Sequence, residues 1–227
     1  IRHKRKVFAV GFNKSGTTSL HALLKSLGLP SYHGEKWRAC DDMNLLRSYD
    51  CFMDDIPEDL AKLDEMFPDS KFILQVRELD RWVYSRLAHI ERKKAQNAHN
   101  PHPIWDTTVY AVKSWIKKRN EYHLFVLSYF TERSSDLLVV NITRDESAAT
   151  KICNFLGYEG KYEMPRKNVH LSRKHCAKHE EMLRESILEF GIPERELRYD
   201  IYCPSLVSNE TQGRFPVDSS MLDTFVE

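Results

Sequence analysis

Short apolar runs alternate along the chain with longer stretches in which apolar residues recur every three or four positions. Four of the short runs have the length and composition of buried strands, and they cover residues 6–11, 50–54, 71–76 and 137–141. The longer stretches predict helices over 17–27, 80–94, 107–130, 146–156 and 173–190, with a further helix beginning at Pro57. Strands that alternate with helices are joined by right-handed crossovers. The pattern therefore predicts a three-layer α/β fold, in which a central parallel sheet of about four to five strands carries helices on both faces.

The length of the chain, 227 residues, allows one α/β domain with a sizeable core and is short for two. We therefore expect a single domain over residues 1–227, with its core over 6–168 and a C-terminal helix and tail over 169–227. The segment 95–103 is polar and contains two prolines and two histidines, which predicts a loop. From Ile192 onward the tail is expected to drape over the domain.

The charges of the chain nearly cancel. The 34 basic and 33 acidic residues give a net charge of +1, so no global field favours a nucleic acid as the partner. No apolar run approaches the roughly 20 residues of a membrane span, and we expect no span in this chain. Neither composition nor charge indicates an oligomeric state.

The cysteines bear on the cellular compartment. There are five, without the spacing of a metal or redox motif, and an odd number favours a reducing compartment and hence the cytoplasm. The chain begins at Ile1 rather than at a methionine, so the Golgi lumen is the alternative if an N-terminal anchor has been removed. The glycosylation triplet at Asn209 fits that alternative.

Residues 11–19 join the first predicted strand to the first predicted helix. A glycine-rich turn that leads into a helix directs backbone N–H groups and the positive end of the helix dipole at one point, which suits a phosphate. Gly11 and Gly16 have the spacing of the nucleoside triphosphate loop. However, Thr17 stands where that loop requires its lysine, and the lysine here is Lys14. A kinase with this loop would lack its phosphate-bridging cation.

The run Lys14-Ser15-Gly16-Thr17-Thr18 resembles the 5′-phosphosulfate-binding loop, KSGTT, of sulfotransferases that depend on 3′-phosphoadenosine 5′-phosphosulfate (PAPS). The resemblance implies a P-loop-like fold, PAPS as the cofactor, 3′-phosphoadenosine 5′-phosphate (PAP) as its product, and no metal. Lys14 is implied to be catalytic, because the lysine of this motif stabilises the charge that develops on the bridging oxygen as the sulfuryl group leaves. The implied cofactor-binding residues of the loop are Asn13, Lys14, Ser15, Gly16, Thr17, Thr18 and Ser19.

The same resemblance implies a site for the 3′-phosphate. The third predicted strand ends at Arg77 and Ser85 lies eight residues later, in the order and spacing that the family uses. Arginine offers a planar, permanently charged fork for phosphate, and serine adds a donor. The segment 164–168 resembles one that closes over the nucleotide in many members, which implies Arg166 and Lys167 as further ligands. The glycine-rich lysine motif of the cytosolic steroid and phenol enzymes is absent, so the chain is more similar to the short bacterial-type and carbohydrate-type members.

Sulfuryl transfer to a hydroxyl requires a base that takes the hydroxyl proton. Alignment on Pro57 with the Thr-His-Leu-Pro segment of the cytosolic sulfotransferases places Asp55 where those enzymes carry their catalytic histidine. The alternative role of Asp55 is that of a helix N-cap ahead of Pro57. His33 and Glu35, which follow the first predicted helix, are the other candidates for the base.

Two further features have both a functional and a structural interpretation. His175 and His179 have a spacing that can hold a metal, but no third ligand is evident and a solvated helix face is the better interpretation. Residues 86–123 contain eight Lys or Arg against three acids, which predicts either a solvated face or a wall that binds an anionic or sugar acceptor. We expect Arg86 to be solvated and Trp82 to lie in the core.

The sequence thus predicts an enzyme, a PAPS-dependent sulfotransferase. It would move the sulfuryl group from PAPS to a hydroxyl of a carbohydrate or small-molecule acceptor, by in-line transfer with a side-chain general base. Two alternatives stay open. One is a P-loop-type nucleotide kinase, in which Lys14 would be a displaced phosphate lysine, and the other is a catalytically inactive nucleotide-binding module.

Overall fold

The structure, a computed structural model, describes residues 5–96, 107–165 and 176–216. The described residues form two compact units. The sheet unit comprises 5–76 and 130–165, and the helical unit comprises 77–96, 107–129 and 176–216. The single domain expected over 1–227 stays a prediction. Arg166, Lys167 and His175 lie outside the described residues.

The sheet unit contains one parallel sheet of five strands in the order β2-β3-β1-β4-β5. The strands are Val7–Ala9 (β1), Ser31–His33 (β2), Cys51–Met53 (β3), Lys71–Gln75 (β4) and Leu137–Val140 (β5). Four of them confirm the four apolar runs. The edge strand β2 was not predicted, because its three residues contain no apolar run and pair only with β3.

The helices follow the predicted order with shifted ends. They are Thr17–Ser26 (α1), Met43–Ser48 (α2), Leu60–Met66 (α3), Leu79–Gln96 (α4), Val109–Tyr129 (α5), Ala148–Phe155 (α6), Ala177–Phe190 (α7) and Asn209–Arg214 (α8). The expectation that Pro57 opens a helix is wrong, since α3 begins three residues later behind Asp59, whose carboxylate accepts the N–H of Lys62 at 2.9 Å. The expected loop also begins too early, because α4 continues through Gln96.

The two faces of the sheet differ in chemistry. Odd positions of β1 and β3 and Ile73 of β4 belong to an aliphatic core with α1 and α6. On the other face Phe8 of β1 is the centre of an aromatic cluster, with ring centroids 5.4 Å from Phe52 and 5.7 Å from Phe72. Trp37, Phe67 and Phe130 extend this cluster. Both faces are buried, as a parallel sheet requires, and the aliphatic face holds α1 against the strand that precedes it.

The junction between β1 and α1 is fixed by a side chain of the neighbouring strand. Gln75, the last residue of β4, is fully buried. Its amide accepts the N–H of Gly11 at 3.0 Å and donates to the carbonyl of Gly11 at 2.8 Å. A Cβ at Gly11 would lie 2.1 Å from the carbonyl oxygen of Gln75. Only glycine therefore allows the chain to leave the sheet so close to β4.

The helical unit is built around α4, α5 and α7, with two 3-10 turns at Glu194–Arg198 and Pro204–Leu206. Trp82 is buried, as expected. The expectation of a solvated Arg86 is wrong, because its guanidinium lies 5.6 Å from the ring of Trp82 and 4.8 Å from that of Trp115. Guanidinium groups stack favourably on indole faces, which explains its partial burial. Within the described ranges no helix is both long enough and apolar enough to cross a membrane.

Replacement of Gly11 by alanine tests the close approach to β4. We expect Gly11→Ala to lower the free energy of unfolding by about 3 kcal/mol, because the added methyl group collides with backbone that cannot move aside. The matched control is Gly213→Ala in α8, where a Cβ meets nothing within 4 Å. Urea unfolding followed by circular dichroism measures both variants. Equal stability of the two would contradict the packing at Gly11.

Candidate functional site

The loop between β1 and α1 is a tight turn with a left-handed backbone at two positions. Lys14 has φ 69° and Gly16 has φ 100°. A Cβ at Gly16 would lie 2.9 Å from the Cγ2 of Ile142, so this glycine is required by space as well as by conformation. Inside the turn the hydroxyl of Ser15 donates to the carbonyl of Phe12. The turn brings the chain directly into the first turn of α1.

The first turn of α1 lies at the end of this loop. The first hydrogen bond of the helix runs from the N–H of Leu20 to the carbonyl of Gly16 at 3.0 Å. The N–H groups that precede it have no acceptor within the helix, which is the arrangement that binds anions. Thr17 and Ser19 are buried, whereas Asn13, Lys14 and Thr18 are half-buried. The predicted loop residues thus surround one helix N-terminus.

His33 lies beside this loop. The sequence placed it only after the first predicted helix; it is the last residue of β2 and pairs in register with Met53 of β3. Its Nε2 lies 3.1 Å from the Oγ1 of Thr17, and its Nδ1 lies 3.9 Å from the Oδ2 of Asp54. Because the strands are parallel, their carboxyl ends meet at one edge, and this brings the imidazole to the loop.

Asp54 and Asp55 follow β3 at the same edge of the sheet. Both have a left-handed backbone, with φ 95° and 81°. The Oδ2 of Asp55 accepts the side-chain amide of Asn13 at 3.3 Å, and its Oδ1 accepts the N–H of Ile56 at 3.0 Å. Since Asp59 caps the following helix, the alternative that Asp55 is the cap is wrong. Two adjacent non-glycine residues in this conformation are strained, and such strain clusters at functional sites.

The carboxyl group of Asp54 is half-buried, and burial raises its pKa above the ordinary value. His33 and Lys14 act in the opposite direction, whereas the negative charges of Asp55 and Glu35 raise the pKa further. Sequence reasoning missed Asp54 because the alignment on Pro57 selected its neighbour. The doublet of acids directly after a buried strand was the signal that could have found it.

A second imidazole, that of His21 on α1, lies behind His33. The ring centroids are 5.5 Å apart, and the Nδ1 of His21 is 2.9 Å from the Oγ of Ser31. Burial lowers the pKa of His21, and His33 and Lys25 lower it further. His21 was also missed, although it lies four residues after Thr17 and so on the same face of α1.

The two residues expected at the 3′-phosphate belong to the helical unit. Arg77 follows β4 along the chain by two residues, and Ser85 lies on α4. Both are half-buried. Burial lowers the pKa of the Arg77 guanidinium, although Glu78 acts to raise it. The backbone carbonyl of Arg77 accepts a hydrogen bond from the Nη2 of Arg119 at 3.0 Å.

The other candidate features are largely structural. His179 is buried rather than solvated, with its Nε2 3.0 Å from the Oε1 of Glu91. In the ranges 5–96, 107–165 and 176–216 no group of three or more side chains is arranged to hold a metal. Arg119 and His123 of the basic stretch are buried and so do not belong to a solvated face, whereas the wall that binds an acceptor stays a prediction.

The sequence matches the family model of the sulfotransferase domain over residues 35–185, which is more than half of the chain. The chain belongs to the sulfotransferase family. It is therefore an enzyme of sulfuryl transfer, and its family uses PAPS as the donor and a hydroxyl-bearing molecule as the acceptor. The matched residues begin after the loop at 11–19, so the loop itself is assigned by its KSGTT sequence.

The fold of this sulfotransferase is similar to that of a solved bacterial sulfotransferase. A crystal structure of a sulfotransferase from Alicyclobacillus acidocaldarius superimposes with a TM-score of 0.52 at 15% identity, over 97% of this chain and 99% of that one. A mouse sulfotransferase complexed with PAP has a TM-score of 0.47 at 14% identity, over 93% of this chain and 74% of that one. No curated protein sequence matches significantly. The first likeness confirms the predicted α/β fold.

The raised pKa of Asp54 predicts a gain of stability on its neutralisation. A carboxyl whose folded pKa lies above the ordinary 3.8 stabilises the fold only when protonated, and that contribution is lost as the pH rises through the folded pKa. At pH 7 the Asp54 carboxylate is therefore unfavourable, and we expect Asp54→Asn to raise the melting temperature. The gain should shrink as the pH falls toward 4.

Asp69→Asn is the control for this variant, since Asp69 is exposed and also has a left-handed backbone, with φ 66°. Its melting temperature should stay near that of the wild type at both pH values. Thermal unfolding at pH 7 and pH 4.5 measures the effect. A gain for Asp54→Asn that is the same at both pH values would contradict the electrostatic explanation.

Proposed function

We propose that this sulfotransferase transfers the sulfuryl group from PAPS to a hydroxyl of a carbohydrate or small-molecule acceptor, at the loop between β1 and α1. The observation that carries the proposal is the convergence of acid–base groups on that loop within the sheet unit. His33 lies 3.1 Å from Thr17, and Asp55 lies 3.3 Å from Asn13. A phosphate-binding loop with a base beside it is what in-line transfer to a hydroxyl requires.

The geometry of the loop supports the proposal that it binds a phosphosulfate. A Cβ at Gly11 or Gly16 would collide with neighbouring atoms, so the backbone approaches its surroundings more closely than any other residue would allow. The first turn of α1 offers N–H groups and the positive end of its dipole. Lys14 adds the loop's only full positive charge, on a left-handed residue between the strand and the helix.

PAPS supplies a sulfuryl group that is activated by its link to the 5′-phosphate. The acceptor oxygen forms a bond to sulfur while the bond from sulfur to the bridging phosphate oxygen breaks. The electron pair of that bond stays on the phosphate of PAP, and Lys14 stabilises the charge that develops there. The proton of the acceptor hydroxyl passes to a side chain of the cluster at the ends of β2 and β3.

Asp55 is the proposed base. Its two oxygens each accept one hydrogen bond, from Asn13 and from the N–H of Ile56, and each retains a lone pair for the acceptor hydroxyl. His33 is the second candidate. With its proton on Nδ1, which faces Asp54 at 3.9 Å, its Nε2 is left as an acceptor at the loop.

The nucleotide contacts outside the loop follow from the resemblance. Arg77 and Ser85 are proposed for the 3′-phosphate, since a half-buried guanidinium is less hydrated and binds phosphate more strongly than an exposed one. Arg166 and Lys167 are proposed as further ligands on sequence alone. No step of this mechanism requires a metal.

Labelled PAPS presented with a panel of sugars, phenols and small alcohols tests the function directly. We expect transfer of label to at least one acceptor, undiminished by EDTA. PAP should raise the melting temperature and ATP with Mg²⁺ should not, because only a ligand of the folded state stabilises it. Stabilisation by ATP with Mg²⁺ alone would favour the nucleotide kinase. Stabilisation by PAP without transfer to any acceptor would favour the inactive binding module.

Three amide variants at the edge of the sheet identify the base. We expect Asp55→Asn to lower kcat by about 10²-fold, the usual scale for a lost general base, with PAP affinity and melting temperature nearly unchanged. His33→Gln should reduce kcat less, and Glu35→Gln, at an exposed position, should leave it near normal. If Asp55→Asn retains normal turnover and His33→Gln does not, the base is His33.

A further inference from the structure

One face of α5 carries three buried polar side chains that bind the backbone of the tail. Arg119 donates from Nη2 to the carbonyls of Tyr199, at 3.1 Å, and Asp200. The amide of Asn120 accepts the N–H of Cys203 at 2.5 Å and donates to its carbonyl at 3.4 Å. His123 bonds through Nδ1 to the carbonyl of Ile201. The segment 199–203 is thus held by side chains rather than by a strand.

The side chain of Arg119 also reaches a second segment of the chain. Its Nη2 donates to the carbonyl of Arg77 at 3.0 Å, whereas both side-chain hydrogen bonds described for Asn120 go to Cys203 of the tail. Only 1% of Arg119 is exposed. The Arg119 guanidinium therefore links Arg77, which follows β4 along the chain, to the segment 199–203.

The charge of Arg119 is retained in spite of its burial. Burial lowers the pKa of Arg119 to about 10, so the side chain is still a cation at neutral pH. Burial and the charge of Arg119 lower the pKa of His123 to about 3, so that imidazole is neutral. Within 5–96, 107–165 and 176–216 the Nη1 of Arg119 has no hydrogen-bond partner.

A buried cation with an unsatisfied N–H is costly, and an apolar side chain would fill the same space at less cost. Stability of the tail alone therefore does not explain an arginine at 119. Its distinctive contact is the one to Arg77. The residue that would bind the 3′-phosphate is held through its backbone, and a fixed backbone limits the positions that its guanidinium can take.

We propose that Arg119 is a positioning residue for Arg77 and thereby for recognition of the 3′-phosphate of PAPS. The proposal rests on the proposed function, in which Arg77 binds that phosphate. Arg119 touches no substrate in this proposal and acts through the carbonyl of Arg77. Loss of Arg119 should then lower the affinity for ligands that carry a 3′-phosphate and leave the affinity for other ligands nearly unchanged.

The test compares binding of PAP with that of adenosine 5′-phosphosulfate, which lacks the 3′-phosphate, by titration calorimetry. We expect Arg119→Met to lower the affinity for PAP about tenfold, which is the scale of one lost charge-assisted hydrogen bond. The affinity for adenosine 5′-phosphosulfate should fall less than twofold. Arg119→Lys keeps the positive charge but lacks the planar guanidinium, and it should lower the affinity for PAP to an intermediate degree. It also serves as the test if Arg119→Met does not fold.

Asn120→Ala is the matched control, because Asn120 holds the same tail and both hydrogen bonds described for its side chain go to Cys203. Asn120→Ala should lower the melting temperature, because the N–H and the carbonyl of Cys203 lose their partner, but it should not change the ratio of the two affinities. Equal losses for both ligands in the Arg119 variants, or a changed ratio in Asn120→Ala, would overturn the proposal.

Arg77→Ala separates this inference from the proposed function. A selective loss of PAP binding in Arg77→Ala, together with unchanged selectivity in Arg119→Met, overturns the role of Arg119 and leaves the 3′-phosphate site intact. No selectivity change in Arg77→Ala overturns both assignments. Sulfuryl transfer itself is measured independently of either result.

Discussion

The bond pair between Gln75 and Gly11 is the constraint from which the site is built. It ties Gly11, two residues after β1, to the residue that ends β4, and it leaves no room for a side chain at position 11. The chain must therefore turn at this point, and α1 begins within six residues. Because a buried amide with both partners satisfied is rigid, the N-terminus of α1 is held at the edge of the sheet before any ligand arrives.

The parallel arrangement of the strands brings the other residues of the candidate site to the same edge of the sheet. The carboxyl ends of parallel strands lie at one edge of the sheet. The residues that follow β2 and β3 therefore lie near the loop after β1. At this edge the chain carries His33 and two aspartates with left-handed backbone. Burial opposes the charge of Asp54, and adjacent carboxylates repel each other. Such an arrangement lowers the stability of the fold, and it is typical of sites that transfer protons or bind anions.

The helical unit uses buried polar groups in another way. Asn120 and His123 bond to the backbone of the segment 199–203, which forms no strand, and these bonds compensate for taking that backbone out of water. Arg119 adds a buried cation that holds the carbonyls of two segments. A basic residue in a run of basic residues can thus be internal, so the charge pattern alone did not tell that Arg119 is buried.

The sequence by itself determined the fold class, four of the five strands, and the loop at 11–19, because apolar periodicity and glycine spacing are local properties of the chain. It also named His33 and Asp55, by resemblance and by position after predicted elements. Only the tertiary structure decided that His33 ends a strand, that Asp54 faces it, and that Asp59 rather than Asp55 caps α3. The partners of Arg119 likewise lie 42 and 81 positions away along the chain. Neighbours so distant leave no local pattern, since their proximity is set by strand order and helix packing.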